Sequence, residues 1–389
     1  MKIDTRLAER LKKINPSSTL AITSKAKKLK SAGNDIVNFG AGEPDFDTPD
    51  NIKMAAKHAI DEGFTKYTPT SGIPDLKSAI CDKLKRDNNL DYGPKNILVS
   101  NGAKQCLYNI LQVITDPGDE VIIPKPYWVS YEEMVKLAGG KCVLLETDDF
   151  ILDPDKFEQA ITAKTKVLLL ASPSNPTGAV YHKNVLEKIA EICVKHNILV
   201  VSDEIYEKLI YDGEHVSIAS LGDEIKKRTI VVNGVSKSYS MTGWRIGYCA
   251  AEEEIIAAAS NLQDHSTSNP NSIAQKAAVE ALTGGEETVG MMRIEFEKRR
   301  DIMVELVNDI KGFHADPPAG AFYLFVDVSK APGYSGSNDF CTRLLEKALV
   351  ACIPGSAFGE DNYIRLSFAT SETNIRKGLE RIKEFVENS

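Results

Sequence analysis

The 389-residue sequence has no apolar run that approaches the roughly 18 residues of a membrane span, so we expect no membrane-embedded segment. Its first residues, MKIDTRLAERLKKI, are amphipathic and charged and lack the apolar core of a signal peptide. Asp4 and Glu9 also argue against a transit peptide, which is usually poor in acidic residues. The sequence therefore predicts a cytoplasmic location.

Positive charge is also in short supply, because 55 Asp and Glu residues outnumber 47 Lys and Arg residues and leave a formal net charge of −8. Proteins that work on nucleic acid or anionic membranes need a basic face, so both partner classes are disfavoured. The six histidines show no H-E-x-x-H or comparable spacing, which predicts that there is no metal site. The 7 cysteines are dispersed without a C-x-x-C pair, as expected for reduced thiols in a cytosolic protein.

What the sequence does contain, from about residue 49, is an alternation of helical and strand patterns. Helical periodicity is present at 51–62, 75–88, 104–114 and 184–196. Short apolar runs typical of buried strands occur at 97–99, 121–123, 142–145, 167–171, 199–202, 229–232 and 246–250. This alternation predicts an α/β fold, with a mostly parallel seven-stranded sheet between helices.

The pattern changes after Gly284-Gly285. The later segments predict a smaller α+β unit, with helices at 287–310, 339–349 and from about 373, and strands at 322–328 and 363–368. The turn-rich segment 40–44 ends an N-terminal region that we expect to pack with this unit. We therefore predict a large domain over 46–288 and a small domain formed by 1–45 and 289–389.

Lys237 is the first candidate for chemistry, because Ser236-Lys237 follows the predicted strand 229–232. A lysine at a strand exit can form an imine with an aldehyde if it is partly desolvated. Neighbouring cations such as Arg245 would lower its pKa and could also bind a phosphate. Taken alone, Lys237 also fits a solvent-exposed loop lysine.

Two further loops follow predicted strands, where ligands bind in α/β sheets. Asp203 could pair with a protonated ring nitrogen of a ligand, and Tyr206 could hydrogen-bond a ring hydroxyl from the same loop. Asn175 lies in a turn that two prolines stiffen, so its amide could donate to a ring oxygen. A capping aspartate and an ordinary Asn-Pro turn are the alternatives.

Two basic residues occupy positions where a positive charge is unusual. Lys104 lies in the first turn of a predicted helix, where a cation opposes the helix dipole unless an anion is near. Backbone N–H groups at that helix start, around Gly102 and Ala103, suit a phosphate. Arg365 alternates with apolar residues and would need an anionic partner, such as a substrate carboxylate, if it is buried. Solvent exposure is the alternative for both.

Together these residues make a set: an aldehyde-binding lysine, a pyridinium partner, a phosphate cradle and a carboxylate clamp. The chain resembles, essentially end to end, a class I aminotransferase of pyridoxal 5′-phosphate (PLP) fold type I, and its bacterial and archaeal aspartate aminotransferase subgroup in particular. The motifs that carry the resemblance are Ala41–Phe46, Lys66–Pro69, Gly102–Gln105, Pro126–Tyr131, Asn175–Gly178, Ser202–Tyr206, Ser236-Lys237 and Gly243–Tyr248.

The resemblance implies a role for each matched residue. Lys237 would bind PLP covalently and later move the proton between Cα and C4′. Asp203 would pair with the pyridine nitrogen, Tyr206 and Asn175 would contact the ring oxygen O3′, and Trp128 would stack on the ring. Trp128 and Asn175 would also contact the substrate.

The resemblance also implies a phosphate region and a substrate clamp. The residues near the phosphate would be Gly102, Ala103, Lys104, Ser236 and Arg245. Tyr67 would reach the phosphate of the other subunit, which makes an obligate homodimer with shared active sites. Arg365 would bind the substrate α-carboxylate, with Gly42 closing over it.

The implied reaction transfers the amino group of L-aspartate to 2-oxoglutarate, and Lys104 would read the side-chain carboxylate. Relatives that also use prephenate tend to carry a lysine where this chain has Asn15, so the use of prephenate is disfavoured. Aminotransferases of broader specificity and PLP-dependent lyases of the same fold remain open. A regulatory protein is disfavoured because the pattern is under way by residue 40, and a catalytically inactive scaffold because every expected catalytic position is present.

Overall fold

The computed structural model describes residues 8–16 and 18–388. Its helices are α1 (Ser18–Ser31), α2 (Asp50–Asp61), α3 (Pro74–Asn88), α4 (Ala103–Ile114), α5 (Ser130–Ala138), α6 (Pro154–Ala160), α7 (Lys183–His196), α8 (Asp223–Arg228), α9 (Glu253–Asp264), α10 (Ser272–Thr283), α11 (Glu287–Asn308), α12 (Ser337–Arg343) and α13 (Glu372–Glu387). Its strands are β1 (Val37–Asn38), β2 (Ile97–Ser100), β3 (Glu120–Pro124), β4 (Lys141–Leu145), β5 (Thr165–Ala171), β6 (Leu199–Asp203), β7 (Thr229–Gly234), β8 (Gly247–Ala250), β9 (Tyr323–Asp327), β10 (Val350–Ala351), β11 (Ile353–Pro354) and β12 (Tyr363–Ser367).

Seven of these strands form one sheet, in the order β2-β8-β7-β6-β5-β3-β4. Strand β8 runs antiparallel to both its neighbours, whereas the other pairs are parallel. The predicted α/β fold with a mostly parallel seven-stranded sheet is therefore confirmed.

Both faces of this sheet are covered. Along β5, Leu169 packs into a core that includes α4, whereas Leu168 and Leu170 pack into a second core that includes α7. All three side chains are at most 1% exposed. Because a strand covered on both sides loses its polar alternation, these strands read as continuous apolar runs in the sequence.

A second group of strands joins the two ends of the chain. Strand β1 pairs in parallel with β10, and β11, β12 and β9 form an antiparallel sheet. Phe39 from the N-terminal region shares one apolar core with Phe296 of α11 and Leu379 of α13. The N-terminal interpretation falls partly on residues 1–7, which lie outside the described residues.

Several helices differ from the sequence prediction, which did not include α5, α6, α8, α9 and α10. The helix expected over 339–349 is α12 followed by a π-helical turn at Leu344–Ala348. Helix α1 was also not predicted, because its lysine-rich sequence has little apolar periodicity, and Ala26 is the one fully buried residue among its described side chains. None of the helices in the described ranges combines the length and apolarity needed to cross a bilayer.

Candidate active site

A cavity of about 430 Å³ opens at the carboxyl ends of β5 and β6. Parallel strands bring these ends to one edge of the sheet, which is where α/β proteins bind ligands. Eleven of the residues singled out in the sequence line it: Gly42, Ala103, Lys104, Trp128, Asn175, Asp203, Tyr206, Ser236, Lys237, Arg245 and Arg365. Residues that lie far apart in the chain are thus brought together.

Two of the predicted residues lie elsewhere. Gly102 is not among the residues that line the cavity. A Cβ atom at this position would come 2.5 Å from Nη2 of Arg245, and the φ of +86° also favours glycine. This glycine therefore lets the guanidinium of Arg245 lie against the start of α4. Tyr67 lies outside the cavity, and its side chain is 91% exposed.

Lys237 reaches the cavity from the loop after β7, and its Nζ donates to the carbonyl oxygen of Gly42 at 2.6 Å. Burial lowers the pKa of Lys237 to about 8; Glu43 opposes this shift, and Arg365 and Arg245 add to it. At neutral pH a much larger fraction of this amine is therefore unprotonated than in a solvated lysine, which has a pKa of roughly 10.4. An unprotonated amine is the form that attacks an aldehyde.

Asp203 ends β6 with its carboxylate inside the protein, 6% exposed. Burial raises its pKa to about 6, although hydrogen bonds from the hydroxyl of Tyr131 (2.7 Å) and the backbone N–H of Ile205 (3.2 Å) favour the charged form. A carboxylate held this way is a good partner for a cationic N–H group, because such a ligand would offset the cost of its burial.

Tyr206 and Asn175 each have a partner that the sequence did not reveal. The hydroxyl of Tyr206 lies 2.9 Å from that of Tyr323, and the Oδ1 of Asn175 accepts from Nη1 of Arg365 at 2.8 Å. With its oxygen oriented toward Arg365, the amide of Asn175 presents its N–H₂ group as the donor for a ligand.

Arg365 is a buried cation, 3% exposed, and no ion pair with a carboxylate holds it within the described ranges. Its Nη2 donates to the carbonyl oxygen of Gly40 at 3.2 Å, and its guanidinium lies 4.2 Å from the ring centroid of Tyr323. Its Nε has no hydrogen-bond partner among the residues that the structure describes. A buried guanidinium with unused donors is a receptor for a planar anion such as a carboxylate.

A second cationic region lies at the start of α4. The Nζ of Lys104 lies 4.8 Å from the ring centroid of Trp128, and burial together with Arg245 lowers the pKa of Lys104. Arg245 donates to the carbonyl oxygens of Thr242 and Asn101 and has a φ of +59°, an unusual value for a residue with a side chain. Two adjacent cations at a helix N-terminus form a natural anion site.

Several residues that line the cavity were not predicted from the sequence to have a role there. Tyr131 lay in a quoted motif, three positions after Trp128, and could have been noticed there. Tyr323 lay in a predicted strand and was indistinguishable from core. Further polar residues without an assigned role include Thr23, Lys27, Asn38 and Glu43. Thr23 and Lys27 belong to α1, which the periodicity did not reveal.

Comparison with known proteins agrees with this geometry. Residues 34–382 match the family described as aminotransferase class I and II. The chain is 52% identical over 389 residues to an aspartate aminotransferase of Bacillus subtilis, covering 98% of this chain and 99% of the relative. It is 47% identical to an aspartate/prephenate aminotransferase of Nitrosomonas europaea, covering 97% of this chain and 98% of that one.

A solved structure of aspartate aminotransferase from Thermus thermophilus with maleate superposes with a TM-score of 0.94 at 46% identity, covering 97% of this chain and 99% of that one. These matches span nearly the whole chain and far exceed what fold similarity alone would produce. The protein therefore belongs to the class I and II aminotransferases and is a transaminase whose cofactor is PLP.

Proposed function

We propose that this protein transfers the amino group of L-aspartate to 2-oxoglutarate, giving oxaloacetate and L-glutamate by a ping-pong mechanism. The observation that carries the proposal is one cavity that is lined by Lys237 together with two cationic groups, Arg365 and the pair of Lys104 and Arg245. A dicarboxylic amino acid has two anionic groups to match them. The names of the relatives and the maleate of the Thermus structure, itself a dicarboxylate, support this substrate class.

The cavity residues fit PLP. When bound, PLP supplies an aldehyde and an electron-accepting ring, and the two together carry the amino group between substrates. Lys237 would hold the cofactor and move a proton between the substrate Cα and C4′. Asp203 would keep the ring nitrogen protonated, Tyr206 and Asn175 would bind O3′, and Trp128 would cover the ring.

The remaining residues would bind the anionic groups. The phosphate would be held by Gly102, Ala103, Ser236 and Arg245. Lys104 would lie beside it and bind the side-chain carboxylate of the substrate. Arg365 would bind the substrate α-carboxylate, and Gly42 would close over it. The hydrogen bond from Lys237 to the carbonyl oxygen of Gly42, and that from Arg365 to the carbonyl oxygen of Gly40, support a role for this N-terminal segment at the site.

The substrate class can be tested by mixing the PLP-loaded enzyme with single amino acids and following cofactor absorbance. We expect aspartate and glutamate to convert the cofactor to its amine form fastest, because each offers a second carboxylate. Equal rates with phenylalanine would contradict the dicarboxylate preference and favour a broader specificity.

Replacing Lys104 by alanine should separate dicarboxylates from other substrates. Losing a hydrogen bond to a charged group costs about 1.5–3 kcal/mol, so kcat/KM for aspartate should fall about 10- to 150-fold. Activity with alanine or phenylalanine should change little. Steady-state kinetics with each amino acid measure the difference.

The matched control is Lys226→Ala, since Lys226 also lies over an aromatic ring, 4.5 Å from the centroid of Tyr92, but outside the cavity. That variant should leave both activities near those of the parent. An equal loss with all substrates for Lys104→Ala would instead assign this residue to the cofactor phosphate.

We also propose a homodimer in which Tyr67 completes the phosphate site of the partner subunit. Its exposed ring, outside the cavity of its own chain, supports a role in another subunit.

We further propose a division into a large domain, 46–288, and a small domain, 1–45 with 289–389. Residues 1–7, 17 and 389 lie outside the described ranges. The shared core of Phe39, Phe296 and Leu379 supports the small domain, because it joins the N-terminal region to the C-terminal one.

We also propose a cytoplasmic location, which the seven free cysteines support.

A further inference from the structure

The turn after β6 has two faces. Asp203 and Tyr206 line the cavity, whereas Glu204 and Glu207 of the same turn do not. Both glutamates are nevertheless buried, at 1% and 8% exposed. Two buried carboxylates behind an active-site loop are costly and need an explanation.

Hydrogen bonds occupy the carboxylate of Glu204. Its Oε1 accepts from the hydroxyls of Ser202 at 2.8 Å and Ser217 at 2.7 Å, and its Oε2 lies 3.1 Å from Nε2 of His215. The backbone N–H of Glu204 donates to the carbonyl oxygen of Val232 on β7. The residue next to Asp203 is thereby tied to its own strand, to the neighbouring strand and to the loop that follows.

Glu207 is tied instead to α3. It forms a close ion pair with Lys83, which is 2% exposed, and its Oε2 accepts from Nδ2 of Asn88 at 2.7 Å. The Nζ of Lys83 also donates to Oδ1 of Asn88 at 2.6 Å, which closes a triangle. The residue next to Tyr206 is thus attached to a different element from the one that holds Glu204.

The network brings two carboxylates, Glu204 and Glu207, together with two basic groups, Lys83 and His215. Burial alone would raise the pKa of Glu207, but Lys83 and His215 outweigh it and hold the pKa at about 2. Burial lowers the pKa of His215, but its bond to Glu204 outweighs this and raises it above the ordinary value. The ligand atoms of Glu204, Glu207 and His215 lie close enough for a metal ion. The ammonium of Lys83 already fills the countercharge role at Glu207, so we do not assign a metal.

We propose that Lys83, Glu204, Glu207 and His215 are positioning residues that fix Asp203 and Tyr206 at the cofactor. The inference rests on the proposed function of those two residues. Buried ion pairs generally stabilise a fold no better than apolar side chains of similar volume. The network instead fixes the orientation of the turn. Each glutamate is hydrogen-bonded from several sides, so the turn between them has little freedom to rotate.

The decisive variant replaces the triangle by apolar residues: Lys83→Met, Asn88→Leu and Glu207→Met together. Because apolar residues of similar volume can replace a buried ion pair at little cost, the unfolding midpoint should stay near that of the parent. If the network has no positioning role, PLP affinity should stay there as well. If it positions the turn, the cofactor-free protein should stay folded but bind PLP on the order of 10- to 100-fold more weakly, as expected when outer partners of a ligand-binding residue are lost. Titration of the cofactor-free protein with PLP, followed by absorbance, measures this.

A milder pair keeps the test decisive if the triple variant does not fold. Ser217→Ala removes one donor to Glu204, and Thr229→Val removes a buried hydroxyl that donates to the carbonyl oxygen of Ile225 at 2.8 Å, away from the turn. At similar loss of stability, only Ser217→Ala should weaken PLP binding and lower kcat. Equal PLP affinity in these two variants, or unchanged affinity in a folded triple variant, would overturn the proposal. Failure of the parent protein itself to bind PLP would instead overturn the proposed function.

Discussion

Lys237→Ala should reduce amino transfer on the order of 10²- to 10⁴-fold or more, because a positioned general base alone contributes that much, and the covalent link to the cofactor is lost as well. Removing Lys237 also removes its hydrogen bond to the carbonyl oxygen of Gly42. The measurement is kcat with aspartate and 2-oxoglutarate. A second readout is reduction with borohydride followed by peptide mapping, which should place the cofactor on the peptide with Lys237 in the parent protein only.

The control for this variant is Lys183→Ala on α7, where the lysine side chain is 62% exposed. It should retain parental activity and the same labelled peptide. Labelling of a different lysine in the parent protein would show that Lys237 is not the covalent residue. Loss of label without loss of kcat in Lys237→Ala would show that it does not move the proton.

Asp203→Asn should have opposite effects on function and stability. An asparagine keeps the shape but cannot neutralise a protonated ring nitrogen, so kcat should fall on the order of 10²- to 10³-fold, as when one preorganised electrostatic group is removed from an active site. The cofactor-free protein, in contrast, should become more stable at pH 7.5. Parallel measurements of kcat and of urea unfolding test both halves.

The sign of the stability effect follows from the pKa. Burial raises the pKa of Asp203 from 3.8 in the unfolded chain to about 6 in the folded protein. The folded state therefore binds the proton more tightly, and the stability that this proton provides at low pH is lost as pH rises through that window. At about 1.36 kcal/mol per pH unit, the charged carboxylate costs on the order of 3 kcal/mol above pH 6, and asparagine avoids this cost.

The advantage of asparagine should therefore shrink at pH 5 and disappear below pH 3.8. Thr229→Val serves as the control, because it also changes a buried polar residue but not a titratable one, and its effect should not vary with pH. A stability difference for Asp203→Asn that is constant over this range would show that Asp203 is not buried at a cost. Unchanged kcat would remove it from the cofactor site.

Much of the fold could be predicted because its signals are local. The inner strands of the large sheet are covered on both faces, so each one is visible as an apolar run, whereas the edge strand β4 is partly exposed. The polar residues at the ends of β5, β6 and β7 mark the edge where the cavity forms. Helix α1 was not predicted, because few of its described side chains pack into a core. Apolar periodicity identifies only helices that have one face packed against a core.

The sequence by itself determined which polar side chains lie in or just after the strands, and hence which chemistry the cavity can hold: an amine at Lys237, a carboxylate at Asp203 and a guanidinium at Arg365. Only the tertiary structure decided what surrounds them. Tyr131 bonds to Asp203 across 72 positions of chain, and Tyr206 meets Tyr323 across 117. Burial, pKa and the direction of a hydrogen bond are set by such distant neighbours, because they depend on which atoms replace water around a group and not on its place in the chain.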